Sequence, residues 1–270
     1  MAVGKYEFFM VKYEDGVALV TMSRPPVNAL SQALLTELKG VLDEVEKSPE
    51  ARVMVLVSGE DIRTRSRKMF CGGADISEFG QAWSSGTTGE FIARGQKLLT
   101  RIERFPKVTI LALNGSAFGG GTEMAMCFHL RVMADDAELG QPEVKLAIIP
   151  GYGGTQRLPR FMGETPALYY MLTGDPIPAQ EALRHGLVNF IVPLAEVLPK
   201  ALEIAKRLSQ GAPVAQRLIL EAVHEGTSRS CTDRGLEVEL KKMEEVTKSE
   251  DAVEGAMAFM QKRPPAFKGK

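Results

Sequence analysis

Cysteine, histidine and tryptophan are scarce in this 270-residue chain, which has three, three and one of them. Cys71, Cys127 and Cys231 are odd in number and lack paired metal-ligand spacing, so neither a disulfide framework nor a metal site is indicated and a reducing compartment is expected. Net charge is nearly absent: 33 Lys and Arg against 34 Asp and Glu leave −1. No basic field would recruit nucleic acid or an anionic membrane. No apolar run approaches the roughly 18 residues of a membrane span, and residues 1–9 show no basic region followed by a long apolar stretch. The expectation is a cytoplasmic protein without presequence, whose partners are small molecules or copies of itself.

Familiar catalytic signatures are missing too. There is no G-x-S-x-G, no G-x-G-x-x-G and no Gly-Lys-Ser/Thr ending of a P-loop. His129, His185 and His224 are scattered, and Cys71 has no positioned histidine in sequence, which disfavours serine or cysteine nucleophilic catalysis.

What is present is an ordinary globular balance, 44% hydrophobic and 25% charged. Phe8 to Tyr13 and Val17 to Met22 flank Glu14-Asp15-Gly16 and predict a hairpin. Ser31 predicts the cap of an amphipathic helix carrying Leu34, Leu35, Leu38, Leu42 and Val45. Val53 to Val57 predicts a strand covered on both faces. Further on, Phe91 to Arg104 reads as a helix, Val108 to Leu113 as a buried strand, Thr122 to Phe128 as a helix and Leu130 to Met133 as a strand. The fold class is therefore α/β with crossover connections. After Gly174 helices dominate, at Ala179 to Arg184, Leu194 to Leu208, Pro213 to His224, Leu236 to Val246 and Asp251 to Met260, with one strand at Leu187 to Val192. The expected organisation is an α/β core over residues 1–195 and a helical oligomerisation and lid region over 196–270.

Three segments carry the chemistry. In Phe118-Gly119-Gly120-Gly121-Thr122-Glu123, glycines at a helix start let a ligand approach free N–H groups that bear partial positive charge; their structural reading is close packing of helix on strand. Glu123 sits among Met124, Ala125 and Met126, where an unpaired charge is expensive, so a functional or buried hydrogen-bonding role is expected. Upstream, Phe70-Cys71-Gly72-Gly73-Ala74-Asp75-Ile76 offers a second glycine turn before a helical turn. Downstream, Gln141-Pro142-Glu143 adds a second carboxylate, which read alone is an ordinary helix-terminal acid. Two such turns suit an oxyanion, where removing one donor typically costs about 2.7–4 kcal/mol.

Together with Pro150-Gly151-Tyr152-Gly153-Gly154-Thr155-Gln156-Arg157-Leu158, Asn114-Gly115, the turn Arg24 to Leu30 and the C-terminal Gly255 to Arg263, these motifs resemble the crotonase (enoyl-CoA hydratase/isomerase) superfamily over nearly the whole chain. The resemblance implies a crotonase-like spiral of ββα units with a helical C-terminal region, and reversible hydration of 2-trans-enoyl-CoA to 3-hydroxyacyl-CoA. It implies catalytic Glu123 and Glu143, an oxyanion hole from the N–H groups of Ala74 and Gly120, and Gly151 placing the water. Substrate and coenzyme A would touch Asn28, Ala29, Leu30, Gly73, Asp75, Ile76, Gly119, Tyr152, Phe259 and Lys262. No cofactor or metal is implied, coenzyme A being part of the substrate, and trimers or hexamers are expected.

Departures from the family pattern concern substrate range. Ser77 stands where a lysine is common, Ala147 where glycine is common and Tyr152 where a small residue is common. Arg63, Arg65, Arg67 and Lys68 form a basic segment that either contacts coenzyme A or is a solvated loop. Phe79, Trp83 and the stretch to Gly89 are expected to line or gate the acyl end. Rival readings are a specialised hydratase or isomerase for dienoyl, branched or alicyclic acyl-CoA, and a noncatalytic CoA- or RNA-binding relative.

Overall fold

The structure, a computed structural model, describes residues 6–60, 62, 68–228, 240–241, 244 and 247–266. β1 (Phe9–Glu14) and β2 (Val17–Met22) pair antiparallel from Phe9↔Met22 to Glu14↔Val17. Asp15 and Gly16 between them both have positive φ, 51° and 81°, as a two-residue turn matched to strand twist requires. Helix α1 (Gln32–Lys47) starts where the Ser31 hydroxyl accepts the Leu34 N–H, and it buries Leu34, Leu35, Leu38, Val41, Leu42 and Val45.

The chain then alternates between two sheets. From β3 (Val53–Ser58), fully buried, it passes to β4 (Met69–Cys71); from β5 (Val108–Leu113) to β6 (Ser116–Phe118); and from β7 (Leu130–Ala134) to β8 (Glu138–Gly140). With β9 (Pro176–Pro178) and β10 (Phe190–Val192), the larger sheet runs β1-β2-β3-β5-β7-β10 and the smaller β4-β6-β8-β9. Each sheet gains one parallel strand per circuit, β3-β5-β7 in one and β4-β6-β8 in the other. The result is the spiral of ββα units that the resemblance implied.

A helix follows each strand of the smaller sheet. α2 (Ile76–Ser84) and α3 (Thr88–Glu103) follow β4, α4 (Gly120–Ala125) follows β6, and a 3-10 helix (Pro142–Leu146) follows β8. All three connections leave the carboxyl ends of parallel strands, where α/β sheets place their ligands. The helix expected over Thr122 to Phe128 begins and ends earlier, because Cys127 and Phe128 bond back to Met124 and Ala125 in a tightened last turn.

Beyond the smaller sheet, α5 (Gly154–Met162) and α6 (Glu164–Thr173) are helices the sequence pattern did not announce, since Pro159 and Gly163 interrupt its periodicity. α7 (Ala179–Arg184), α8 (Val197–Ser209), α9 (Pro213–Ser228) and α10 (Glu250–Met260) follow, close to expectation. In α8, Val197, Ala201 and Ala205 recur at helical spacing, and the helix lies on β3, β5 and β7. The helix expected over 236–246 lies mostly outside the described residues, as do Arg63, Arg65 and Arg67; Lys68 donates to the Glu60 carbonyl at 2.7 Å.

Candidate active site

Past β4 the chain is zipped to the turn Arg24 to Leu30. Gly72 N–H donates to Val27 O at 2.7 Å, Leu30 N–H to Gly73 O at 2.8 Å and Asp75 N–H to Leu30 O at 3.2 Å. This bridge uses the groups on either side of Ala74, so the Ala74 N–H itself points away from Leu30. Asn28 anchors the turn from within: wholly buried, it donates to Phe70 O at 2.9 Å and accepts from Arg24 N–H at 2.6 Å. Asp75 caps α2 by accepting from Ser77 N–H and pairs with Arg24 at 2.8 Å. Of the proposed contact residues here, Asn28 and Leu30 are wholly buried and Asp75 is engaged in this clamp, whereas Gly73, Ala74 and Ile76 face the cleft.

The glycines after β6 divide the work expected of them. A Cβ on Gly121 would meet Cys71 O at 2.6 Å, so this glycine lets α4 pack on the end of β4. Gly119 has φ 51° and ψ −126°, and a Cβ there would lie 2.9 Å from Glu143 Oε1. Both reasons require glycine. A Cβ on Gly120 would fall 3.2 Å from the Ala74 nitrogen, so the two predicted oxyanion donors are neighbours, and Gly120 N–H, in the first turn of α4, has no acceptor within its helix.

Glu123 is 2% exposed, and its Oε1 accepts two backbone N–H groups, from Tyr152 at 2.8 Å and Gly154 at 2.7 Å. That turn is held from behind by α3. Gln96 donates to Gly151 O at 2.9 Å, and Arg157 donates to Tyr152 O at 2.8 Å while forming a 2.7 Å ion pair with Glu103. Gln96, Glu103 and Arg157 are the supports that sequence reasoning missed. Their partners lie 54 or more residues away for the α3 contacts, so no local pattern marks them.

Glu143 is the second residue of the 3-10 helix after β8. With its amide nitrogen turned toward the carboxylate, the wholly buried Gln141 donates to both Glu143 oxygens at 3.1 Å. The Gln141 amide and Glu123 Oε1 lie 2.8 and 3.0 Å from one point, the Cβ direction of Gly154. The Gln141 amide that holds Glu143 thus also borders, through its oxygen, the Gly154 position that Glu123 borders. Ala147, flagged in sequence as replacing a glycine, ends this helix at φ 54°. Helix α10 braces it, since Gly255 approaches so closely that a Cβ would sit 2.3 Å from Leu146 O.

The cleft is lined by Gly73, Ala74, Gly119, Gly120, Glu123 and Glu143 at its polar end, with Gly151 beside them. Phe79, Ile92, Leu146, Ile148, Ile149 and Tyr152 line its apolar part, and the Trp83 ring packs against Phe79 at a tilt, with centroids 6.2 Å apart. Phe259 and Lys262 lie outside this lining, on and just after α10, exposed to solvent. Burial pushes the Cys71 thiol up to about 12, which removes it as a thiolate nucleophile. Among the described residues no group of three or more His, Cys, Asp or Glu could hold a metal ion, and no helix is long and apolar enough to cross a membrane.

Comparison with known proteins gives one answer. Residues 12–270 match the profile of the Enoyl-CoA hydratase/isomerase family. A Bacillus subtilis protein named "Probable enoyl-CoA hydratase" is 42% identical, over 94% of this chain and 95% of its own. A "Crotonyl-CoA hydratase" of Syntrophomonas wolfei is 39% identical, over 97% of this chain and 98% of its own. The crystal structure of an enoyl-CoA hydratase from Bacillus anthracis, 36% identical, superposes with a TM-score of 0.75 over 98% of this chain and 100% of the other.

Proposed function

This chain belongs to the enoyl-CoA hydratase/isomerase family, and from that premise we propose that it is an enoyl-CoA hydratase adding water reversibly and syn to a 2-trans-enoyl-CoA. The observation that carries the reading is the meeting of Glu123, Glu143, Ala74 and Gly120 in one cleft. Each comes from the carboxyl end of a different strand of the smaller sheet or the helix that follows it, apart from Gly120 and Glu123, which share α4.

The thioester oxygen would sit against the Ala74 and Gly120 N–H groups. Glu123, held through Oε1, takes a proton from water as the water oxygen bonds to the β-carbon. The double-bond electrons move onto the thioester oxygen as an enolate, which the two N–H groups stabilise. Glu143 then gives a proton to the α-carbon, and a proton returned from Glu123 to Glu143 resets the pair. Each acid/base contribution is worth about 10²–10⁴-fold. Gly151 is assigned to the water and the coenzyme A moiety to the Asn28–Leu30 side of the cleft. No cofactor beyond the coenzyme A of the substrate is needed.

A trimer, or a hexamer of paired trimers, is proposed as the assembly and the cytoplasm as the compartment. In support of the assembly, α6 exposes Leu168, Tyr169 and Leu172, and α9 exposes Val214, Leu218, Ile219 and Val223. Lys262 is assigned to coenzyme A bound by a neighbouring subunit. Sedimentation equilibrium tests the assembly.

The test of function is loss of the conjugated-thioester absorbance on mixing with crotonyl-CoA. Fast loss in the wild type, abolished in Glu123→Gln and in Glu143→Gln, is expected. No loss in the wild type with coenzyme A ester binding intact would overturn the reading.

A further inference from the structure

Tyr152, expected as a substrate contact, serves Glu123 through its backbone N–H, while its ring does something else. That ring is 1% exposed and lines the apolar part of the cleft. One edge, at Cδ2, lies 3.2 Å from the Cβ direction of Gly120, beside the oxyanion donors. The opposite edge is notched into α3. Its Cε1 and Cζ lie 2.3 and 2.5 Å from where a Cβ of Gly95 would be, so only glycine at 95 admits the ring in this position. Its face stacks on Phe91 with centroids 6.4 Å apart, and Phe91 in turn meets Phe79 edge-on at 6.1 Å.

The ring thus bridges from the start of α4 to α3 and fills the space between them. A tail running from the β-carbon into the apolar part of the cleft would meet aromatic carbon there. The whole cleft, its polar end included, has room for about 90 Å³ of water-sized molecules, well under the roughly 300–1,000 Å³ of sites that enclose larger organic ligands. The phenol is buried and has no hydrogen-bond partner among the described residues. What Tyr152 contributes is bulk, not a hydrogen bond.

We propose that Tyr152, seated in the Gly95 notch, is the chain-length stop of the acyl site and restricts the enzyme to thioesters whose acyl chain ends within a few carbons of the reacting double bond. The inference rests on the hydratase reading for its substrate and on packing for its selectivity. Tightly packed interiors do not yield to an inserted methylene chain without side chains leaving their rotamers. Because the hydroxyl has no partner among the described residues, phenylalanine at this position should keep the same chain-length ratio.

The experiment measures kcat/KM for crotonyl-, hexenoyl-, octenoyl- and decenoyl-CoA, and calorimetric binding of butyryl- and octanoyl-CoA, in the wild type, Tyr152→Phe, Tyr152→Leu and Tyr152→Ala. The wild type is expected to lose at least about tenfold in kcat/KM between crotonyl- and octenoyl-CoA. Tyr152→Phe should keep that ratio, and Tyr152→Ala should raise octenoyl relative to crotonyl by at least about tenfold, with a matching gain for octanoyl-CoA in binding. Tyr152→Leu should fall between and serves if the alanine variant does not fold. An unchanged ratio in a folded leucine or alanine variant, or a wild type that takes octenoyl as well as crotonyl, overturns the proposal. If no thioester is hydrated yet the binding ratios shift as stated, the hydratase reading fails while the stop stands.

Discussion

The Gly154 N–H donates to Glu123 Oε1 at 2.7 Å, and a Cβ on residue 154 would lie 3.0 Å from that same oxygen, 2.8 Å from the Gln141 amide and 2.7 Å from Pro150 Cβ. Position 154 opens α5, where alanine suits the backbone better than glycine by up to about 1 kcal/mol. The obstacle to alanine is therefore the carboxylate and its neighbours. Gly154→Ala should displace Glu123, and a misplacement of about 1 Å can cost about 10²-fold in rate. Steady-state kinetics with crotonyl-CoA should show the loss in kcat, with KM changed by less than about threefold, and the overpacking should also lower thermal stability by about 1–3 kcal/mol.

Glu143 depends on Gln141 in a different way, because the amide donates to both carboxylate oxygens at 3.1 Å. Hydrogen bonds to a charged group contribute about 1.5–3 kcal/mol, or about 13–160-fold in rate where the charged group acts in the transition state. Gln141→Leu should lower kcat by that factor. A merely structural glutamine would not affect one partial reaction selectively. Exchange of the α-proton of butyryl-CoA with deuterated water, assigned to Glu143, should slow in parallel in Gln141→Leu and Glu143→Gln.

His129 gives the fold an acid limb. Its Nδ1 accepts the Thr109 N–H at 3.0 Å, so Nε2 carries the hydrogen and donates to Glu103 O at 3.1 Å. Burial, followed by the charges of His224 and Arg131, pushes the ring down to about 4, although the bond to Glu103 O opposes this. The unfolded chain binds the proton near pH 6.5 and the folded one does not until about pH 4. Stability is therefore fully present above about pH 6.5 and falls as the pH drops toward 4, by at most about 3 kcal/mol. His224, 5.6 Å away and likewise lowered by burial, adds to this limb. Urea unfolding between pH 7 and 4 should show a shallower slope for His129→Gln than for the wild type. Identical slopes would refute the assignment.

Long elements were legible because periodicity needs length. α1 and α3 span 16 residues each, and six buried residues in a row mark β3 and β5. β4, β6 and β8 have three residues each, too few for any period to register. Those short strands place the loops of Ala74, Gly120 and Glu143 at one sheet end. The residue types at the site could therefore be read from sequence, while their convergence came from resemblance. The supports of Glu123 were invisible for another reason: Arg157 stands in the quoted glycine motif, but its meaning lies in Glu103 on α3 and in the Tyr152 carbonyl.

Asp75 links the oxyanion loop to the turn before α1, through its 2.8 Å pair with Arg24, whose other amino group donates to Ala29 O at 3.0 Å. Burial alone would raise the Asp75 carboxyl, but the hydrogen bonds from Ser77 and Arg24 outweigh it and hold the group below the usual carboxylate range. A carboxyl so depressed binds a proton less readily folded than unfolded. Its contribution is fully present above the unfolded value of about 3.9 and is lost as the pH falls through the lower folded value. Because both side chains are partly exposed, at 29% and 14%, solvent screens the pair and the contribution is about 1 kcal/mol. Asp75→Asn should therefore be less stable than the wild type at pH 7 and converge with it in acid, as followed by urea unfolding from pH 7 to 3. The same variant loosens the loop that carries the Ala74 N–H, so kcat on crotonyl-CoA should fall about 5–30-fold, tracking about 1–2 kcal/mol of lost oxyanion positioning. A variant that lost stability but kept full kcat would show that the clamp holds the fold without aiming the donor.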